Sequence, residues 1–470
     1  MKFRYQRKIA LSFVIVFLLA TLLSTFNVFA EDESFSHTDD SYSVAMSSFS
    51  ELLPPTPAAE NVGAVYLYNI ENTFVIHEEK GDEVIYPAST VKIMTGYIAC
   101  ELLADRLGEV VTITSSMLAG SYGRSMKLVE GEEIYIQDLL FGAICGGYND
   151  AATAVAAICD GSSAAFVERM NKTAEDIGMP STNYTNPTGL HEDAMVTSAR
   201  DTAILAREAY KNSLYMEICS AKEYTVPATN KSDSRYFTSR NFLISGTNQS
   251  YYNGYCRGMN AGATDEGGYC AVTVWEKGGA SNVCVVMGGS EVPEKGINYT
   301  YRYANSLLSW VNSNFSYRKV YAGGDVLDNQ AVSMTGVSKS ESKMLAGEDL
   351  LAYMPRSLDT AMLTTACHYD STPLVAPIAQ GEAVGKVTVS YGGCVLGSVR
   401  IVAGTEFAEN GFLVFMSAFG NYLYSRAFIA TLVCFIILIV IYIRRVTVNG
   451  KRFSANKPTR QVRRRKRRIF

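Results

Sequence analysis

The stretch of this chain best suited to covalent chemistry is Pro87-Ala88-Ser89-Thr90-Val91-Lys92. A serine hydroxyl becomes a nucleophile only when a base takes its proton, and a desolvated lysine with a lowered pKa is such a base. Three positions apart, the two side chains share one helix face, and a proline suits the entrance of that helix. Backbone N–H groups at the helix start would stabilise an oxyanion. The same spacing recurs at Ser340-Glu341-Ser342-Lys343, inside a β-rich stretch, and is read there as chance. Ser89 is singled out by its setting: a strand hairpin, then Pro87, then the apolar run Ile93-Met94-Thr95-Gly96-Tyr97-Ile98. The plain alternative is a serine at a helix start beside a solvated lysine. His37, His77, His191 and His368 are scattered without metal-ligand spacing and no Cys-x-x-Cys pair occurs, so neither a zinc peptidase nor a zinc ribbon is expected, and no cofactor is implied.

The elements that would position these residues can be read along the chain. AVYLYNI and FVIHEE predict a hairpin turning near Glu71-Asn72. STVKIMTGYIACELL predicts the helix after Pro87, and residues 139–213 read as mainly helical, with apolar residues at helical spacing. Strands return in YCAVTVWEK and NVCVVMGG, separated by Gly278 and Gly279. Strands, helices, then strands again predict an α+β fold, an antiparallel sheet carrying a helical subdomain. From about Tyr317 the composition shifts, and KVTVSYGGCVLGSVRIVAG predicts a hairpin turning at Gly392-Gly393. The expected division is a first domain over 59–315, a β-rich domain over 316–410 and a connector over 411–426.

Two apolar segments set the compartment. Residues 1–30 have the layout of a secretory signal: basic Lys2 to Lys8, an apolar run from Ile9, then Val28 and Ala30 before Glu31. Residues 31–58, rich in Ser, Asp and Pro, read as a spacer. Residues 427–443, AFIATLVCFIILIVIYI, carry no charge and are just long enough to span a bilayer. The basic segment 444–470 behind them places the tail in the cytoplasm and the body outside, with lipid as a partner of helix and tail. Of 42 Lys and Arg, 16 sit in those two ends, which leaves 26 against all 46 acidic residues in the body, a balance of −20. Such a body is not a nucleic-acid binder. Of the ten cysteines, Cys434 lies in the apolar segment, and Cys100, Cys145 and Cys159 read as buried free thiols.

PASTVKIMT resembles the nucleophile motif of the serine D-alanyl-D-alanine carboxypeptidases, the low-molecular-mass penicillin-binding proteins. MKLVEGEEIYIQDLL, then Asn149-Asp150-Ala151-Ala152, AFVERMNKTAEDIGM, TNPTGLH and SARDTAILA follow in family order. GMNAGATDEGGYC occupies the place of the family's Lys-Thr-Gly strand, and PIAQGEAVGKVTV resembles its C-terminal domain. The resemblance implies a β-lactamase/DD-peptidase-like fold followed by a β-rich domain and a C-terminal membrane anchor at the wall side of the cell membrane. It implies Ser89 as nucleophile, Lys92 as base and Asn149 as holder of Lys92 and of the substrate amide. It further implies an oxyanion hole from the N–H groups of Ser89 and Ala263, with Asn260 and Gly262 lining the substrate strand. The partners implied are peptidoglycan stem peptides ending in D-Ala-D-Ala, and β-lactams.

Two motifs depart from the family pattern. Its Ser-Gly-Asn stands here as Gly147-Tyr148-Asn149, and its Lys-Thr-Gly as Asn260-Ala261-Gly262. A positioned proton-transfer group is worth about 10²–10⁴ in rate, and a charge-assisted hydrogen bond to the substrate carboxylate roughly 1.5–3 kcal/mol. Arg257 is placed on the opposite strand face from Asn260 by its three-residue offset. A non-catalytic scaffold that keeps the groove is therefore the second reading, and a β-lactamase the third.

Overall fold

The computed structural model of the 470-residue chain describes residues 49, 51–247, 249–328, 343–371, 374, 377–406, 411–423 and 425–454. The expected signal segment, most of the spacer, Ser340 and Ser342 of the second Ser-x-x-Lys match, and the tail from Ala455 lie outside the described residues.

Side chains that alternate along β1 (Ala64–Asn69) enter two different cores, and this organises the whole body. Ala64, Tyr66 and Tyr68 belong to one buried cluster, Val65 and Leu67 to the other. A sheet covered on both faces needs apolar residues at nearly every strand position, as β1 shows. Its partners are β2 (Phe74–Glu79), β3 (Cys256–Thr264), β4 (Gly268–Lys277) and β5 (Ala280–Gly289), in the antiparallel order β2-β1-β5-β4-β3. Gly278 and Gly279 both take positive φ, 63° and 85°, between the paired residues Lys277 and Ala280. Such a two-residue turn matches the strand twist and requires that conformation twice, hence two glycines.

One face of the sheet carries the helical subdomain. It comprises α1 (Lys92–Leu103), α2 (Ile136–Ile144), α3 (Asn149–Asp160), α4 (Ser163–Asp176), α5 (Ala199–Tyr210) and α6 (Ser213–Cys219). Side chains cap three of them: Ser162 accepts from Ala165 N, Ser198 from Asp201 N and Asn212 from Tyr215 N. Ala151, Ala152, Ala154 and Ala156 of α3 are fully buried, small enough to let α2 and α3 pack closely. The stretch expected to be mainly helical is interrupted at 177–198, where Pro180 and Pro187 remove backbone donors and the chain forms loops and isolated bridges. That interruption matters below, because Thr188 lies in it.

The other face carries α7 (Tyr299–Asn314), capped by Asn298, and then the β-rich part. This consists of β6 (Phe315–Tyr321), β7 (Val326–Asp328), β8 (Met344–Ala346), β9 (Leu350–Pro355), β10 (Thr364–Tyr369), β11 (Ala383–Tyr391) and β12 (Cys394–Ala403). Its five-stranded sheet runs β7-β8-β12-β11-β10, and β6 pairs with β9. Its core is continuous with the first sheet: Phe74 lies 6.4 Å from Phe315 and 6.3 Å from Tyr353, ring centre to ring centre.

The expected connector is itself helical, α8 (Gly411–Leu423), because GFLVFMSAFGNYL contains no proline and is apolar enough to persist as a helix. The following helix α9 (Arg426–Ser454) runs past the expected end at Ile443. Its segment Arg426–Thr447 is the one described helix long and apolar enough to cross a membrane. All ten cysteines are free thiols.

Candidate active site

Ser89 lies on a 3₁₀ turn, Ala88–Val91, that leads directly into α1. The turn opens on Ala88, held at φ 48°, a left-handed conformation that costs an alanine about 1 kcal/mol or more. Lys92 opens α1, so the two side chains meet over one turn: Lys92 Nζ donates to Ser89 Oγ at 3.2 Å. It also donates to the carbonyl of Thr188 at 2.5 Å. The Thr188 carbonyl is fixed by a turn in which Asn186 Oδ1 accepts from Thr188 N, Thr188 Oγ1 and Gly189 N. Thr95 of α1 pins the preceding carbonyl, Pro187 O, at 2.7 Å.

Lys92 has no exposed surface. Burial lowers its pKa to about 7, and the nearby charges of Arg124 and Arg240 push in the same direction. Near neutrality a large share of Lys92 is therefore the free amine, which can accept a proton.

The far wall is β3, an edge strand hydrogen-bonded only to β4 in the sheet. Half of an edge strand's backbone N–H and C=O groups lack a ladder partner, and here that edge passes Ser89. A methyl group at Gly262 would lie 2.4 Å from Ser89 Cβ and 2.8 Å from Oγ, so only glycine allows the strand this close. Ala263 follows in the strand and is half-buried.

The roof is built by the loop before α3. Asn149 is buried, and its Nδ2 donates to Tyr122 O at 2.6 Å, while its backbone N–H donates to Arg124 O at 2.8 Å. The N-cap residue of α3 is Tyr148, which makes no side-chain cap. Nor does Asn149 hydrogen-bond Lys92, whose two partners are Ser89 and Thr188. Asp150, also buried, accepts from Ser125 Oγ, Met126 N and Leu128 N and so ties segment 125–128 down. On the strand side, Asn260 is buried with Nδ2 donating to Ile144 O at 3.3 Å, and its Oδ1 has no partner among the described residues. The donor expected to face substrate is thus engaged by the end of α2.

Two arginines not singled out from the sequence complete the site. The Arg124 guanidinium lies over the Tyr148 ring, 4.8 Å from its centre, with Nε donating to Gly146 O at 2.8 Å. Arg240 donates its backbone N–H to Cys145 O, and its Cβ and Cγ fill the space beside Gly147. Neither guanidinium has an acidic partner among the described residues. Burial and the nearby positive charge of Arg240 both lower the Arg124 pKa, and the Arg240 guanidinium lies 6.0 Å from the centre of the Phe242 ring. Arg257, by contrast, pairs with Glu276 at 3.4 Å and donates to Gly254 O and Cys256 O. Among the described residues no group of three or more His, Cys, Asp or Glu could hold a metal ion.

Comparison with known proteins bears on this arrangement. The family model of D-alanyl-D-alanine carboxypeptidases matches residues 56–291, and that of the penicillin-binding protein 5 C-terminal domain matches residues 315–409. The chain belongs to the D-alanyl-D-alanine carboxypeptidase family. The chain is 28% identical to D-alanyl-D-alanine carboxypeptidase DacF of Bacillus subtilis over 349 residues, covering 73% of this chain and 85% of the relative. It is 26% identical to DacA of Haemophilus influenzae over 407 residues, covering 83% and 91%. The crystal structure of penicillin-binding protein 5 from Haemophilus influenzae matches with a TM-score of 0.58 at 25% identity, over 76% of this chain and 100% of that one. In fold alone the chain resembles a peptidoglycan synthesis regulatory factor, penicillin-binding protein 3 of Streptococcus pneumoniae, with a TM-score of 0.63 at 20% identity, over 74% of this chain and 99% of that one. By family the protein is a low-molecular-mass penicillin-binding protein, and by resemblance to its named relatives a serine-type carboxypeptidase.

Within that family the structure brings Ser89, Lys92 and Gly262 together, puts Asn260 on the same face of β3 as Gly262 but turned to the end of α2, and ties Asn149 to Tyr122 and Arg124. The signal for Arg124 and Arg240 is absent from local spacing. They lie far from Lys92 in the chain, and only the packing of both their segments against the loop before α3 joins them.

Proposed function

We propose that this protein removes the terminal D-alanine from peptidoglycan stem peptides through an acyl-enzyme on Ser89. The observation that carries the reading is the fully buried Lys92, 3.2 Å from Ser89 Oγ and with a pKa lowered to about 7. Ser89 Oγ attacks the carbonyl of the penultimate D-alanine while its proton passes to Lys92 Nζ. The N–H groups of Ser89 and Ala263 hold the resulting oxyanion. Lys92 returns the proton to the leaving nitrogen, and D-alanine departs. Water, deprotonated by the same amine, then cleaves the ester and restores the Ser89 hydroxyl.

Asn149 accepts the substrate amide through Oδ1 while its amide nitrogen holds the roof. Gly262 admits the peptide along β3, and Asn260, on the same strand face, ties that strand to the end of α2. β-Lactams enter by the same acylation. The segment Arg426–Thr447 spans the cell membrane, with the basic tail in the cytoplasm and near anionic lipid, and holds the groove at the wall side, where the protein contributes to cell shape. The signal segment delivers it there.

A second reading, a groove that binds wall peptides without turnover, draws on two observations. Gly147 supplies no hydroxyl, and the Asn260 donor is already engaged. Full-length protein in detergent, exposed to a fluorescent penicillin beside Ser89→Ala, separates the two. A band lost in the variant, with D-alanine released from a stem peptide, supports the enzyme. A folded protein that takes no label at saturating penicillin sinks it.

A further inference from the structure

The third motif of this chain holds no cation, yet two guanidiniums lie close enough to Lys92 for their charges to act on it, and neither has an acidic partner among the described residues. This matters because the body is strongly acidic, with carboxylates in ample supply for any arginine that merely needed neutralising. Arg124 donates only Nε, to Gly146 O. Its four Nη N–H groups have no hydrogen-bond partner among the described residues, and these form the planar fork that receives a carboxylate in two parallel bonds. The Tyr148 ring lies under the guanidinium plane and fixes its orientation. That tyrosine occupies the middle of the second motif. Asp150 clamps the residues that follow Arg124, and Asn149 N–H holds the Arg124 carbonyl. The fork is thus pre-oriented by the same loop that roofs Ser89. Gly147 leaves the space beside it to Arg240. Lys92 must be neutral to act as base, so it is not available as the anion receptor.

We propose that Arg124, seated on Tyr148 beside Arg240, binds the C-terminal carboxylate of the substrate peptide and so supplies, from a segment packed on the second-motif loop, the cation missing at Asn260. This rests on the carboxypeptidase reading above. A free C-terminal carboxylate becomes the selected feature: peptides capped as amides are poor ligands.

The test uses the full-length Ser89→Ala protein in detergent, which binds without turnover. Its ligands are diacetyl-L-Lys-D-Ala-D-Ala and the same peptide with a C-terminal carboxamide, measured by calorimetry. The free acid is expected to bind at least tenfold more tightly than the amide. Adding Arg124→Gln should weaken the acid about ten- to hundredfold and leave the amide unchanged, whereas Arg124→Lys should restore part of the preference. An Arg124→Gln protein that keeps the full acid preference, or a parent with no preference or no measurable binding of the acid, overturns the proposal. A purely structural role for Arg124 would weaken both ligands alike and lower the melting temperature, which also overturns it. The catalytic reading is judged separately, by Ser89 labelling and D-alanine release. Acid preference lost with Arg124 in a chain that never acylates Ser89 upholds this inference and sinks the enzyme.

Discussion

Lys92 makes a prediction that joins rate to stability. Its pKa falls from 10.5 to about 7, chiefly through burial. Acylation by penicillin should therefore rise about tenfold per pH unit up to about pH 7 and level off above it, so that at pH 5 it runs at roughly a hundredth of the plateau. The same shift has a thermodynamic sign. A depressed lysine pKa means that between about pH 7 and 10.5 the unfolded chain holds a proton that the folded chain has lost, so stability rises with pH across that window. Below about pH 7 both states are protonated and the full cost of burying the ammonium is present, about 5 kcal/mol for a shift of this size. Lys92→Met abolishes that cost but also removes the donor to Ser89 Oγ and Thr188 O, a loss of about 1–3 kcal/mol. The variant should be inert toward penicillin, yet more stable than the parent by about 2–4 kcal/mol at pH 6, with the difference shrinking and then reversing toward pH 10. Stopped-flow acylation and urea unfolding at several pH values measure both. An acylation midpoint near pH 10, or a stability difference that stays constant from pH 6 to 10, would refute the buried-amine argument.

Three further outcomes follow from the packing. Gly262→Ala, whose methyl group would meet Ser89 Cβ at 2.4 Å, should displace β3 and reduce penicillin acylation on the order of a hundredfold, read on the same labelling gel. Asp150→Ala strands Met126 N–H, Leu128 N–H and the Ser125 hydroxyl, and urea unfolding should show a loss of about 3 kcal/mol or more. A chain ending at residue 406 lacks α8 and α9 and should move from the detergent phase to the aqueous phase in cloud-point partition, whereas the full chain stays with detergent.

Local chemistry in the sequence determined a good deal. Ser89 and Lys92 are one helical turn apart, so their meeting needs no tertiary information beyond a turn at Pro87. The Gly278-Gly279 and Gly392-Gly393 hairpins are equally local, because a two-residue turn selects for residues free to take positive φ. Tertiary structure alone decided what surrounds that pair. The base is oriented by Thr188 O rather than by Asn149, since loop 177–198 folds back over α1 where a helical reading gave no reason to expect it. The Asn260 donor turns to Ile144 O because the end of α2 reaches β3 before any substrate can. The cations near Ser89 come from Arg124 and Arg240, remote in sequence from the third motif and from each other. Charge acts through space, and a single chain read in order carries no record of which distant guanidinium the folded loops bring to the same mouth.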